Sequence, residues 1–214
     1  MTDVAAHASN RVPLWLKFAF TAFMMVLVPV YWHYYGPTNF LYFCDVSLFL
    51  TLAGLWLDSP LLISMCAVGV LASQALWVLD FVANLFGIHL IGMTDYMFKH
   101  ENSLFLRGLS LFHGWLPFLL AYLVWKYGYD RRGFPAWTAL AWALMLICFF
   151  FMPPPNPDAG LTPVNINYVW GPSDAAAQTW VSPTVWLVGM MIGMPALLFW
   201  PVHILLSRYA PKPA

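Results

Sequence analysis

Residues 60–84 read PLLISMCAVGVLASQALWVLDFVAN, with a single charged residue, Asp80, close to the end. A helix needs roughly 20 mainly apolar residues to cross about 30 Å of hydrocarbon. This stretch is long enough to cross with a tilt. The rest of the chain agrees with it: 62% of the residues are hydrophobic and only 8% are charged. A soluble domain carries about 25% charged residues, so that class is excluded. Trp (12), Phe (17), Tyr (10) and Met (11) are abundant, as expected where aromatic side chains meet lipid headgroups.

Five further stretches have the same character, and together they predict an all-α, polytopic membrane helix bundle of about six transmembrane helices. The spans fall near 13–34, 40–57, 60–84, 105–127, 135–152 and 182–206 in one integral membrane domain. Gly36-Pro37, Asp58-Ser59-Pro60, Gly133-Phe134-Pro135 and Met152-Pro153-Pro154-Pro155 punctuate them. The first apolar run begins near Val12 without a small-residue cleavage site at its end, and reads as a span rather than a signal peptide. No internal repeat suggests an inverted-repeat transporter. Residues 86–103 mix apolar side chains with Asp95, Lys99, His100 and Glu101, which predicts a short helix in the interface. Residues 153–181, rich in Pro, Asn and Asp, read as an ordered outer loop.

Charge orients the bundle. With six spans, one side holds Arg11, Lys17, Lys126, Arg131, Arg132, Arg208 and Lys212, seven of the nine basic residues; the other holds Lys99 and Arg107. The positive-inside rule then places both termini in the cytoplasm. The formal net charge is zero, and no nucleic-acid partner is expected.

Polar residues within the spans gather toward the outer side. Cys44 and Asp45 lie roughly 6 Å below that boundary and His113 roughly 12 Å below it. Asp80 and Asn84 close the third span, and His33 closes the first. Such residues are costly in lipid and face the bundle interior. Trp77, Asp80 and Asn84 share one helical face. Pro117 has no N–H to offer the carbonyl of His113, which frees that oxygen and favours a kink. Each residue also has a purely structural reading: Cys44 as a small buried hydrophobe, His113 bonded to a carbonyl, Asp80 partnering a Tyr, a Trp or Arg107. No pair among His33, Cys44, Asp80 and His113 has metal-site spacing, so neither a metal nor another cofactor is expected.

The run Asn39-Phe40-Leu41-Tyr42-Phe43-Cys44-Asp45, then Phe112-His113, then Asn165-Ile166-Asn167-Tyr168 resembles the superfamily of small multi-span proteins that contains the YwaF-like proteins and the androgen-induced lipid hydrolases. That resemblance implies an intramembrane hydrolase or acyltransferase acting on lipid acyl esters, with Cys44 at the nucleophile position and His113 at the base. Asp45 after Cys44 and the proline-rich 153–164 stretch depart from the pattern. In such a reaction the Cys44 thiolate attacks an ester carbonyl, Asp80 orients His113, and Asn165, Asn167 and Tyr168 contact the substrate. The alternative is a non-catalytic membrane subunit or assembly factor, with membrane lipids and partner helices around it.

Overall fold

The computed structural model describes residues 12–98 and 102–213. All regular structure among them is helical. Six helices follow one another: α1 (Leu14–Tyr35), α2 (Phe43–Trp56), α3 (Pro60–Leu85), α4 (Leu104–Tyr127), α5 (Gly133–Phe151) and α6 (Pro183–Tyr209). All except α2 are long and apolar enough to cross a membrane. The chain is an integral membrane protein. Ser59, Ser103 and Ser182 start α3, α4 and α6 by accepting hydrogen bonds from the backbone of Leu62, Leu106 and Val185. Each hydroxyl thereby meets one of the otherwise orphaned first-turn donors.

Helix α3 is the hub and packs against α2, α4, α5 and α6. Of its most apolar stretch 56% is buried, against 11% for α6. Glycines set how closely its neighbours approach. A Cβ on Gly69 would overlap the Trp137 ring of α5, one on Gly133 would meet the Ser64 backbone at 2.8 Å, and one on Gly54 of α2 would meet Ile63 at 2.8 Å. Lipid provides no hydrophobic drive between helices, so this close van der Waals contact carries much of their association. Five exposed tryptophans lie near the helix ends, Trp15, Trp56 and Trp125 toward one end and Trp32 and Trp180 toward the other, while Trp115, Trp142 and Trp200 are exposed within helices. The five form the aromatic belts expected at the two interfaces.

Long-range bonds sort the connections between the two ends. Lys17 of α1 and Tyr127 of α4 both reach Asp58 in the α2–α3 turn, at 2.6 and 2.7 Å. The Tyr129 N–H donates to the carbonyl of Pro211 at 2.7 Å. The start of α1, the 57–60 turn, the 127–133 connection and the C-terminal segment therefore share one end. The connections around 37–41, 86–98 and 153–181 lie at the other.

Two expected elements differ. Helix α2 begins at Phe43 and has 14 residues, about 21 Å at 1.5 Å per residue. Preceding it is one 3₁₀ turn, Pro37–Leu41, instead of more α-helix. The described residues of the 86–103 connection form no interfacial α-helix. Over 86–98 it is a run of turns with one 3₁₀ turn, Asp95–Met97, while Lys99, His100 and Glu101 lie outside the described residues. Gly87 and Gly92 take φ of +75° and +87°, values that glycine adopts without a Cβ penalty. The amides of Ile91, Gly92 and Thr94 bond to the Asp80 side chain of α3, while those of Met97 and Phe98 bond to the Thr94 and Asp95 carbonyls of the same run. Helix α4 is interrupted at Leu111, upstream of the break expected beside Pro117.

The Gly69–Trp137 contact yields a direct test. Gly69→Val is expected to destabilise the purified protein by about 3 kcal/mol, an overpacking cost. Adding Trp137→Ala should recover part of that loss in a double-mutant cycle read by thermal unfolding.

Candidate functional site

Asp80 sits at the end of the hub away from the Lys17–Asp58–Tyr127 cluster and is 1% exposed. Its Oδ1 accepts from the backbone N–H groups of Ile91 and Gly92 at 2.7 and 3.2 Å. Its Oδ2 accepts from the N–H and hydroxyl of Thr94 at 2.9 and 2.8 Å. Four donors converge on this one carboxylate and fold the 91–94 run over the end of α3. Asn84, one turn on, donates to Asp95 at 3.2 Å. The predicted Trp77, Asp80 and Asn84 face exists, and its two polar members work on the loop.

Asn165 and Asn167 organise the long 153–181 loop, whose residues Val164, Ile166 and Val169 are buried with them. Both asparagines adopt left-handed backbone, φ +48° and +59°, a conformation Asn tolerates better than most residues. The Asn165 carboxamide donates to the carbonyls of Gly171 and Ser173 and accepts from Trp170 N–H. Asn167 reaches across the bundle: its Oδ1 accepts from the Phe43 N–H at 3.0 Å, and its Nδ2 donates to the Leu41 carbonyl at 2.9 Å. It also contacts the Cys148 sulfur at 3.6 Å. Tyr168 is likewise left-handed at φ +59°, which is unusual for a bulky side chain. Its carbonyl accepts from the Trp186 indole at 2.9 Å, tying the loop to α6.

His113 lies between two rings, stacked on Trp77 at 4.9 Å and Phe112 at 4.0 Å between centroids. Its Nδ1 is 2.8 Å from the Ser110 carbonyl. A carbonyl only accepts, so Nδ1 carries the proton and Nε2 is left as the acceptor. The Cys44 thiol faces the Asp45 Oδ2 at 3.7 Å, and Asn39 donates to that same oxygen at 3.3 Å. A thiolate is favoured beside cations; the hydrogen-bond partner of Cys44 is an acid. Among the described residues no hydrogen bond joins Cys44, His113 and Asp80 in any pairing. His33 is exposed at the end of α1.

Asp45 is the polar residue whose weight the sequence understates. It is 3% exposed, and its Oδ1 is buried without a hydrogen-bond partner. A second overlooked feature lies on α6. Gly189 and Gly193 are spaced as in a Gly-x-x-x-Gly motif, and a Cβ on either would meet nothing within 4 Å. Val185, Val188 and Ile192 beside them are 57%, 48% and 63% exposed. The motif was readable from spacing; its openness required the packing of α6 to be known.

Comparison with protein-family models, with characterised proteins and with solved structures returns no match.

The bonds of Asn167 and Cys44 separate structural from reactive roles. Asn167→Ala strands the Phe43 donor and the Leu41 acceptor and is expected to cost about 2 kcal/mol, the penalty of unpaired buried groups. Cys44→Ser should cost under about 1 kcal/mol. Thermal unfolding of the two variants in detergent checks the order; the reverse ranking contradicts these assignments.

Proposed function

We propose that the protein is a non-catalytic membrane subunit or assembly factor that docks a transmembrane helix of a partner protein along α6. One observation carries this reading: α6 is peripheral, and it presents Gly189 and Gly193 on an open face. Small residues four apart let two helix backbones approach closely, which is how helices associate where lipid supplies no hydrophobic drive. The bonding of the polar residues supports the same reading. Asp80, Asn165 and Asn167 are engaged with backbone groups, and His113 with a carbonyl. The Cys44–His113 reaction on lipid acyl esters needs groups free to bond a substrate. In this proposal the basic end of the bundle faces the cytoplasm by the positive-inside rule, with both termini on that side.

A photocrosslinking amino acid at Val188 in native membranes is expected to give one discrete adduct with another protein. Gly193→Leu should lower its yield at least about tenfold, equivalent to 1.4 kcal/mol. The same probe at Leu79, an exposed position on α3, should give no discrete adduct. Three results would contradict the reading: no adduct at Val188, an adduct made only with a second copy of this chain, or acyl-ester hydrolysis by the isolated protein that disappears in Cys44→Ser.

A further inference from the structure

At the basic end, α6 and Arg131 of the 127–133 connection border an open cavity of about 400 Å³ lined by Arg131, Trp200, His203, Ile204, Ser207 and Arg208. Neither Arg131 nor Arg208 pairs with a carboxylate among the described residues. The neighbouring Asp130 is taken by Arg132, at 2.7 Å. Burial of Asp130 opposes its ionisation, but the Arg132 hydrogen bonds outweigh this and hold its carboxyl below the usual carboxylate range. Ser207 adds a buried hydroxyl with no hydrogen-bond partner. The Arg131 guanidinium spans the cavity to the Ser207 carbonyl at 3.5 Å, and Tyr129 holds the His203 ring through a 2.7 Å bond to Nδ1. Two guanidinium groups without a carboxylate partner among the described residues, and an unsatisfied hydroxyl, form a donor set suited to a tetrahedral oxyanion, since Arg matches phosphate bidentately.

The other wall shows where such an anion comes from. Trp200 lines this cavity and also a second, apolar groove of about 400 Å³ between α5 and α6. Phe134, Trp142, Met191, Ile192 and Ala196 line that groove. The Trp142 indole donates to the Met191 carbonyl at 2.7 Å and fixes one side of it. A five-residue π-turn, Pro195–Phe199, lies alongside. It follows from Pro195, which has no N–H for the normal ladder. Phosphate-binding donors and an acyl-sized apolar groove thus meet at one tryptophan near the helix end.

We infer that this composite site holds one anionic phospholipid, its phosphodiester on Arg131, Arg208 and Ser207 and an acyl chain in the α5–α6 groove. Basic pockets between helix ends on the cytoplasmic side are suited to anionic headgroups. Ile192 borders both the groove and the open face of α6, whereas Arg131, Ser207 and Arg208 lie at the far end of the helix, so the headgroup contact stands whether or not α6 docks a partner.

Native mass spectrometry of the protein from vesicles of phosphatidylcholine, with and without phosphatidylglycerol, tests the site. Wild type is expected to retain one phosphatidylglycerol in preference to phosphatidylcholine. The Arg131→Ala/Arg208→Ala variant should lose that retention at least about tenfold, while its thermal unfolding in phosphatidylcholine alone stays unchanged. Trp200→Ala should weaken retention of the long-chain lipid more than that of a short-chain analogue. Lys126→Ala/Lys212→Ala removes the same charge outside the cavity and should retain the lipid. Equal loss in that control would mean a diffuse charge effect and overturn the site. Saturable binding of inorganic phosphate that blocks phosphatidylglycerol without any chain-length dependence would overturn the lipid in favour of a soluble phosphate.

Discussion

Hydrocarbon offers no hydrogen bonds, so every backbone N–H and carbonyl at the N-terminal end of α2 has to be met from within the protein. Helix α2 is too short to carry its own hydrogen-bond ladder across the bilayer, and the chain leading into it is a single 3₁₀ turn. The side chain of Asn167 supplies what is missing. It accepts from the Phe43 N–H and donates to the Leu41 carbonyl, and it arrives with buried Val164, Ile166 and Val169 around it. The outer loop is therefore a structural plug over a truncated helix. Its left-handed backbone at 165, 167 and 168 is the local strain this placement requires, and the bonds to Gly171, Ser173 and Trp186 hold it.

Asp80 solves the same problem at the outer end of α3. A carboxylate in or near lipid is costly unless it is fully bonded, and four donors from 91–94 satisfy this one. The two outer connections are thus pinned by side chains rather than by secondary structure of their own. That arrangement leaves α3 rigid at the centre and α6 attached along little of its surface.

Much of this was legible in the sequence, for identifiable reasons. Length and apolarity revealed the five long helices, because a bilayer imposes both. Asp58-Ser59-Pro60 marked the start of α3 through a cap and a first-turn proline, both local signals. The count of six spans grouped the connections that Lys17, Asp58, Tyr127 and Pro211 bring together. The failures involve partners distant in the chain. Residues 86–98 have helix-compatible composition, but Asp80 captures their amides from outside that window. Similarly, 40–42 are apolar enough to extend α2, while Asn167, more than a hundred residues on, stabilises a different geometry. Cys44, Asp80 and His113 have bonding partners, Asp45, Thr94 and Ser110, that could not be read from spacing alone.

The central claim is that the outer polar residues hold the fold, with the 164–169 segment built into the bundle. Amide hydrogen exchange of the protein in lipid nanodiscs tests it most directly. The account predicts that 164–169 and the first turn of α2 exchange slowly and on a common time course, with protection approaching that of α3. Fast exchange of 164–169 while α2 stays protected would show a loop free to admit substrate, and would contradict it.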